Sequence, residues 1–155
     1  MSNYKRMYID GYSYFITIVT HRREPILIDN IELLRKSFVL SQNRYRYSID
    51  AIIVLPDHLH MIITPKQAKE YSKIVSHIKR SFVYGLDDKY KQNCKMTLSS
   101  SSYKRKLSGV WQKRFYEHTI RDEKDWLDKV SYMKQNAVKH QLVDVWDDWR
   151  YSSFV

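Results

Sequence analysis

The chain has 155 residues, 43% of them hydrophobic, with 27 Lys and Arg against 17 Asp and Glu and a formal net charge of +10 at pH 7. That length fits one domain with a substantial core. No apolar run approaches the roughly 18 residues of a spanning helix and the N-terminus has no signal-peptide pattern, so a cytoplasmic protein without a membrane segment is expected. The basic excess, with a pI of about 9.6, and the 14% aromatic content favour a polyanionic partner. Nucleic acid ranks ahead of an anionic membrane surface, because bases stack on rings interleaved with cations.

Residues 12–20 are β-branched and aromatic and predict a strand. Residues 29–44 predict a helix with Asp29 as N-cap and Ile31, Leu34 and Phe38 at helical spacing. A second strand covers 46–55, Pro56-Asp57 makes a turn, and a third strand covers 58–64, antiparallel to the second. Residues 69–85 form an amphipathic helix with Tyr71, Ile74, Val75, Ile78 and Phe82 inward and Lys73, Lys79 and Arg80 outward. The polar stretch 86–108, with four consecutive serines from Ser99 to Ser102, is expected to be a mobile loop. One or two short strands follow over 110–120. Asp122 then caps a helix that runs to about His140, with Trp126, Val130, Met133 and Ala137 as its core face. In the tail, Trp146, Trp149, Tyr151 and Phe154 are expected to pack back onto the domain.

The order βαββαβ plus a last helix predicts an α+β, ferredoxin-like fold over 1–155: one antiparallel sheet with two helices on one face and the C-terminal helix on the other. Cys94 is the lone cysteine, which excludes an intrachain disulfide and a multi-cysteine zinc site.

The chemistry concentrates in Pro56-Asp57-His58-Leu59-His60. On a strand, His58 and His60 project to the same side, about 7 Å apart along the chain. Tyr132 and Asn136, four apart, share one face of the last helix. If that helix covers the histidine face, two imidazoles and an amide oxygen can hold a divalent cation beside a phenol placed to attack phosphorus. The bland alternatives are a half-buried histidine pair bonded within the sheet, a core tyrosine and a solvated asparagine. Asp57 can orient His58 or simply serve the turn. Lys139 shares the Tyr132 face and can steady a phosphate. Arg22, Arg23, Lys113 and Arg114 are candidate DNA contacts, Trp111 and Phe115 candidate stacking platforms, and Lys73 and Arg80 candidate phosphate contacts. Each of these has ordinary solvated charge or core packing as its alternative.

Several segments appear in order: Tyr14-Phe15-Ile16-Thr17, Thr20-His21-Arg22-Arg23, Leu55-Pro56-Asp57-His58-Leu59-His60, Val110-Trp111-Gln112-Lys113-Arg114-Phe115-Tyr116-Glu117-His118, Tyr132-Met133-Lys134-Gln135-Asn136-Ala137-Val138-Lys139-His140 and Asp148-Trp149-Arg150-Tyr151-Ser152-Ser153-Phe154. On this set the chain resembles the single-tyrosine HUH transposases, and most closely their REP-associated tyrosine transposase branch. The resemblance implies a metal-dependent endonuclease and strand transferase that recognises single-stranded DNA hairpins of REP type. It would cut and rejoin through a 5′-phosphotyrosine intermediate. It also implies Tyr132 as nucleophile, His58, His60 and Asn136 as ligands of Mg²⁺ or Mn²⁺, a monomer or homodimer, and a bacterial, nucleoid-associated protein. Other readings of the same chemistry are a domesticated hairpin-binding protein that does not cut, and a replication-initiator or relaxase-type nickase. The chain departs from the family pattern at Ala137, where proline is common, and at Gln141, where glycine is common.

Overall fold

A computed structural model describes residues 5–155. In chain order the main elements are β1 (Tyr14–Val19), α1 (Ile31–Arg44), β2 (Tyr47–Val54), β3 (His58–Pro65), α2 (Tyr71–Gly85), α3 (Asp88–Met96), α4 (Ser100–Lys104), β4 (Tyr116–Thr119) and α5 (Glu123–Lys139). The four strands form one sheet in the order β2-β3-β1-β4, and all pairings are antiparallel. This is the expected split βαβ arrangement: each crossover helix leaves a gap that a later or earlier strand fills.

Strand alternation divides the interior in two. Tyr14, Ile16 and Ile18 of β1 and Leu59, Met61 and Ile63 of β3 face α1 and α2 in the larger core. Phe15, Ala51, Ile53 and Ile62 face α5, where Met133 and Ala137 meet them. In β2 the register shifts between Ile49 and Ala51. That bulge inserts one residue, which is why Ile49 and Ile52, three apart, both pack on the α1/α2 side.

All five predicted inward residues of α2, from Tyr71 to Phe82, are fully buried. α1 begins one turn-residue later than predicted. Asn30 rather than Asp29 stands at its N-cap, and the Asn30 amide donates back to the Ile26 carbonyl (2.8 Å) instead of capping the helix. The loop expected at 86–108 is corrected more substantially, because that stretch folds into α3 and α4. The Asp87 carboxylate accepts from the Tyr90 backbone N–H (3.1 Å) and the Ser99 hydroxyl accepts from that of Ser102 (3.2 Å), so residues that suggested a loop are helix caps. Their helices are short, polar and bury little, so they resemble a loop in composition.

Asp122 caps α5 as predicted, accepting from Asp125 N–H (2.8 Å). With alanine at 137, α5 continues three residues past Asn136. It closes with Leu142 N–H on the Ala137 carbonyl (2.9 Å) and Gln141 N–H on that of Val138 (2.9 Å), and Gln141 takes a left-handed φ of 59°. The tail returns to the β2 edge: Val54 N–H donates to Tyr151 O (2.8 Å), Ser153 N–H to Ile52 O (2.9 Å) and the Trp149 indole to Val54 O (2.8 Å). Among the described residues no helix is long and apolar enough to cross a membrane.

Candidate active site: a histidine pair beneath the tyrosine helix

His58 and His60 lie on β3, each 4% exposed, with ring centroids 5.0 Å apart. Each is oriented through Nδ1. Asp57 Oδ1 is 2.5 Å from His58 Nδ1. The hydroxyl of Thr17, directly opposite His60 in the β1–β3 register, is 2.7 Å from His60 Nδ1. Phe15 stacks on the His60 ring at 5.4 Å. A carboxylate beside Nδ1 holds the proton there, which leaves the His58 lone pair on Nε2. His60 Nε2 is buried without a hydrogen-bond partner. Burial first, then the positive surroundings of His58, His140, Arg23 and Lys139, pull the His60 pKa down to about 3. His60 is therefore a neutral imidazole at ordinary pH, the form that binds metals.

α5 supplies the rest. Asn136, 1% exposed, places Oδ1 3.3 Å from His58 Nε2, and its Nδ2 has no partner. Two acceptors thus face each other, and His60 Nε2 is left unpartnered nearby. Buried polar groups are rarely left so, and a cation satisfies both acceptors. Among the described residues no three His, Cys, Asp or Glu side chains gather for a metal. The donor set is two imidazole nitrogens and one amide oxygen, which fits a divalent ion with positions left for phosphate or water oxygens.

Tyr132, one turn before Asn136, is 42% exposed with its ring 5.2 Å from His60. It stands in a cleft of about 450 Å³ that also receives Arg23, Tyr116, Lys129, Lys139 and His140. The Lys139 ammonium lies 5.6 Å from the Tyr132 ring centre. Arg22 and Arg23 are consecutive left-handed residues (φ 56° and 58°). Their turn is held by Thr20, whose N–H and hydroxyl each lie 2.9 Å from the Asp57 carbonyl. Arg23 Nη1 reaches within 3.5 Å of both Asp57 and His58. Two such residues side by side cost on the order of 1–3 kcal/mol each, and they aim Arg23 into the cleft.

Asp57 therefore does more than make a turn: its carboxylate orients His58 and pairs with Arg23. Thr17, Phe15, Tyr116 and Lys129 escaped the sequence reading. Lys129 is three residues before Tyr132 on one helical face, a signal that was there to use. The strand residues owe their place to cross-strand register alone. Arg22, Lys73, Arg80, Lys113 and Arg114 are exposed, and Arg80 and Lys113 line a second groove rather than the cleft. Two expected stacking platforms are corrected. Trp111 is core, 6% exposed, against Phe82 with its indole N–H on the Lys79 carbonyl (3.2 Å). Phe115 is half-buried, with the Arg6 guanidinium 3.8 Å over its ring. The apolar core takes the Trp111 ring, and the Arg6 guanidinium covers that of Phe115.

Residues 8–136 match the family model for IS200-like transposases. A protein of Haemophilus influenzae named for the REP-associated tyrosine transposases is 36% identical, covering 99% of this chain and 86% of its own length. The REP-associated tyrosine transposase of Escherichia coli K12 is 32% identical, covering 99% and 83%. A solved REP-associated tyrosine transposase bound to a REP hairpin superposes with a TM-score of 0.79 at 31% identity, over 99% of this chain and 83% of that one. A Deinococcus radiodurans transposase structure, 16% identical with a TM-score of 0.51 over 86% and 97%, shares the fold. The chain belongs to the IS200-like transposase family, on its REP-associated tyrosine transposase branch.

Proposed function

We propose that this protein is a metal-dependent strand transferase that binds single-stranded DNA folded into REP-type hairpins and cuts and rejoins it through Tyr132. The observation that carries the reading is the meeting of Tyr132 and Asn136, one turn apart on α5, with the Nε2 side of the His58–His60 pair. The solved relative's hairpin supports the choice of substrate.

In this mechanism His58 Nε2, His60 Nε2 and Asn136 Oδ1 would hold Mg²⁺ or Mn²⁺. A bound ion supplies Lewis-acid polarisation of the scissile phosphate. Asp57 and Thr17 keep both imidazoles aimed from their Nδ1 sides. The Tyr132 oxygen attacks phosphorus, its proton passing to solvent. A new O–P bond forms, the bond to the 3′-oxygen breaks, and that oxygen leaves as a 3′-hydroxyl after taking a proton. The 5′-phosphate stays on the tyrosine, and the reverse attack rejoins the strand without an external energy source. Arg23, Lys129 and Lys139 offset the charge gathering on the phosphate. Because α5 covers the histidines of its own chain, one monomer carries a whole site, and we favour a monomer over a homodimer acting in the bacterial nucleoid.

Incubation with an end-labelled hairpin and Mn²⁺ should yield a covalent adduct on a denaturing gel. Tyr132→Phe should abolish it, and a chelator should do the same while leaving hairpin binding intact. An undiminished adduct with Tyr132→Phe refutes the nucleophile. Tight metal-independent binding with no adduct from the unaltered protein would instead favour the non-cutting, domesticated binder.

A further inference from the structure

The last helix is held unevenly along its length. Its buried residues are Met133, Asn136 and Ala137, all in the last two turns. Trp126 and Val130, nearer its start, pack against the second core only partly buried. Tyr132 stands where the firmly packed part begins. The first turn has a polar contact instead: His118 Nε2, on β4, lies 2.9 and 2.8 Å from the two carboxylate oxygens of Asp125. Both side chains are largely sheltered, that of Asp125 10% exposed and that of His118 24%.

The pair is built from both sides. Burial by itself would raise the Asp125 carboxyl, but the Arg121 N–H (3.0 Å), then His118, hold it below the ordinary carboxylate range. Asp125 is therefore an ionised acceptor, and His118 Nε2 carries the proton it donates. On the sheet side, His118 is the cross-strand neighbour of Phe15. Phe15 in turn stacks on His60 at 5.4 Å and meets the Tyr132 ring edge-on at 6.1 Å. On the helix side, Asp125, Lys129, Tyr132 and Asn136 follow one another four, three and four residues apart, which makes one stripe of α5. Both His118 and Asp125 stand outside the cleft that holds Tyr132.

We propose that His118 and Asp125 are positioning residues, which fix the roll of α5 over the sheet and thereby the reach of the Tyr132 oxygen; this rests on the strand-transfer reading above. Apolar contact through Met133 and Ala137 resists lifting but opposes roll weakly, because packed side chains slide over a sheet face without losing burial. A hydrogen bond to a carboxylate is directional and does not slide. Asp125 lies off the Met133–Ala137 line, on the stripe of Tyr132 itself, so its bond opposes the motion that would carry the phenol away. A side-chain tip about 6 Å from the helix axis moves about 1 Å for a roll of about 10°. A misplacement of about 1 Å is enough to slow a reaction about 100-fold.

The test measures single-turnover adduct formation by the full chain at saturating hairpin and Mn²⁺, beside hairpin affinity and the folded fraction. His118→Ala and Asp125→Ala should each slow adduct formation about 10–100-fold with hairpin affinity unchanged. The double variant should be no slower than either single one, since all three lose the same contact. His118→Gln, whose amide can still donate to Asp125, should recover most of the rate. Asp125→Asn keeps the size of the side chain and one acceptor oxygen, and it carries the test should the alanine variants not fold; its rate should fall in the same direction by less. A parental rate in folded variants, additive losses, or losses that only follow the folded fraction or hairpin affinity would overturn the assignment. A readout without DNA or metal separates it from the strand-transfer reading. Asp125→Ala should move the His60 imidazole resonances, because the Tyr132 ring lies 5.2 Å from that of His60; unmoved resonances would overturn the positioning role. Moved resonances, in a protein whose unaltered form makes no adduct, would overturn strand transfer and leave the placement of Tyr132 by His118 and Asp125 standing.

Discussion

Leu59, Met61 and Ile63 point from β3 into the layer of α1 and α2, whereas His58 and His60 point from the same strand toward α5. The first face is closed by two packed helices, and its buried polar atoms, such as the Tyr47 and Tyr71 hydroxyls, are set among apolar side chains. The second holds buried polar atoms, some without partners, beside a cleft open to solvent. The closed side can carry stability because its residues need only exclude water and fill space. The open side can carry chemistry because the closed side holds the strand rigid beneath it. A period of two along one strand separates the two tasks at the scale of adjacent residues.

The sharpest way to break this comparison is to truncate neighbours on opposite faces. Met61→Ala should cost about 2–5 kcal/mol in urea unfolding, with adduct formation following the folded fraction. His60→Ala should leave metal-free stability much closer to the parent while abolishing the adduct and any thermal stabilisation by Mn²⁺. Equal destabilisation by the two would show that the histidine face is simply more core. Next in size, Asp57→Ala should raise the Mn²⁺ concentration needed for half-maximal adduct by roughly 10–100-fold, because His58 loses its orienting partner. Thr17→Val acts on His60 in the same way, at the lower end of that range, about tenfold. The smallest effect concerns the end of α5. Gln141 occupies a left-handed position that strains a side chain, so Gln141→Gly should raise stability by up to about 1 kcal/mol. A fall in the urea midpoint would mean that the Gln141 side chain contributes more than its backbone strain removes.

The layout of the sheet was legible from residue pattern. The inward stripe of α2 reads directly from Tyr71 to Phe82, and Asp122 announces α5, its carboxylate accepting from the Asp125 N–H three residues on. Residues 86–108 were not legible, because α3 and α4 are short and strongly polar, and their caps are the residue types that also make loops. The site was half legible. His58, His60, Tyr132 and Asn136 stand out by type and spacing. Thr17 and Phe15 do not, since nothing local distinguishes them from other strand residues. Trp111 misled for the opposite reason: a tryptophan beside Lys113 and Arg114 suits a stacking platform and a core filler equally well, and burial against Phe82 decides between them.

By itself the sequence determined the basic character of the chain, the order of its elements, and the two short spacings that matter most: His58 to His60 on a strand, and Tyr132 to Asn136 on a helix. These are local properties, set by the periods of strand and helix. Only the tertiary structure decided that α5 lies over the histidine face, that Asn136 Oδ1 meets His58 at Nε2, and that Arg80, Lys106 and Lys113 share one groove. Those facts join residues tens of positions apart, and they follow from how the sheet twists and which apolar faces pair, quantities that no local period encodes.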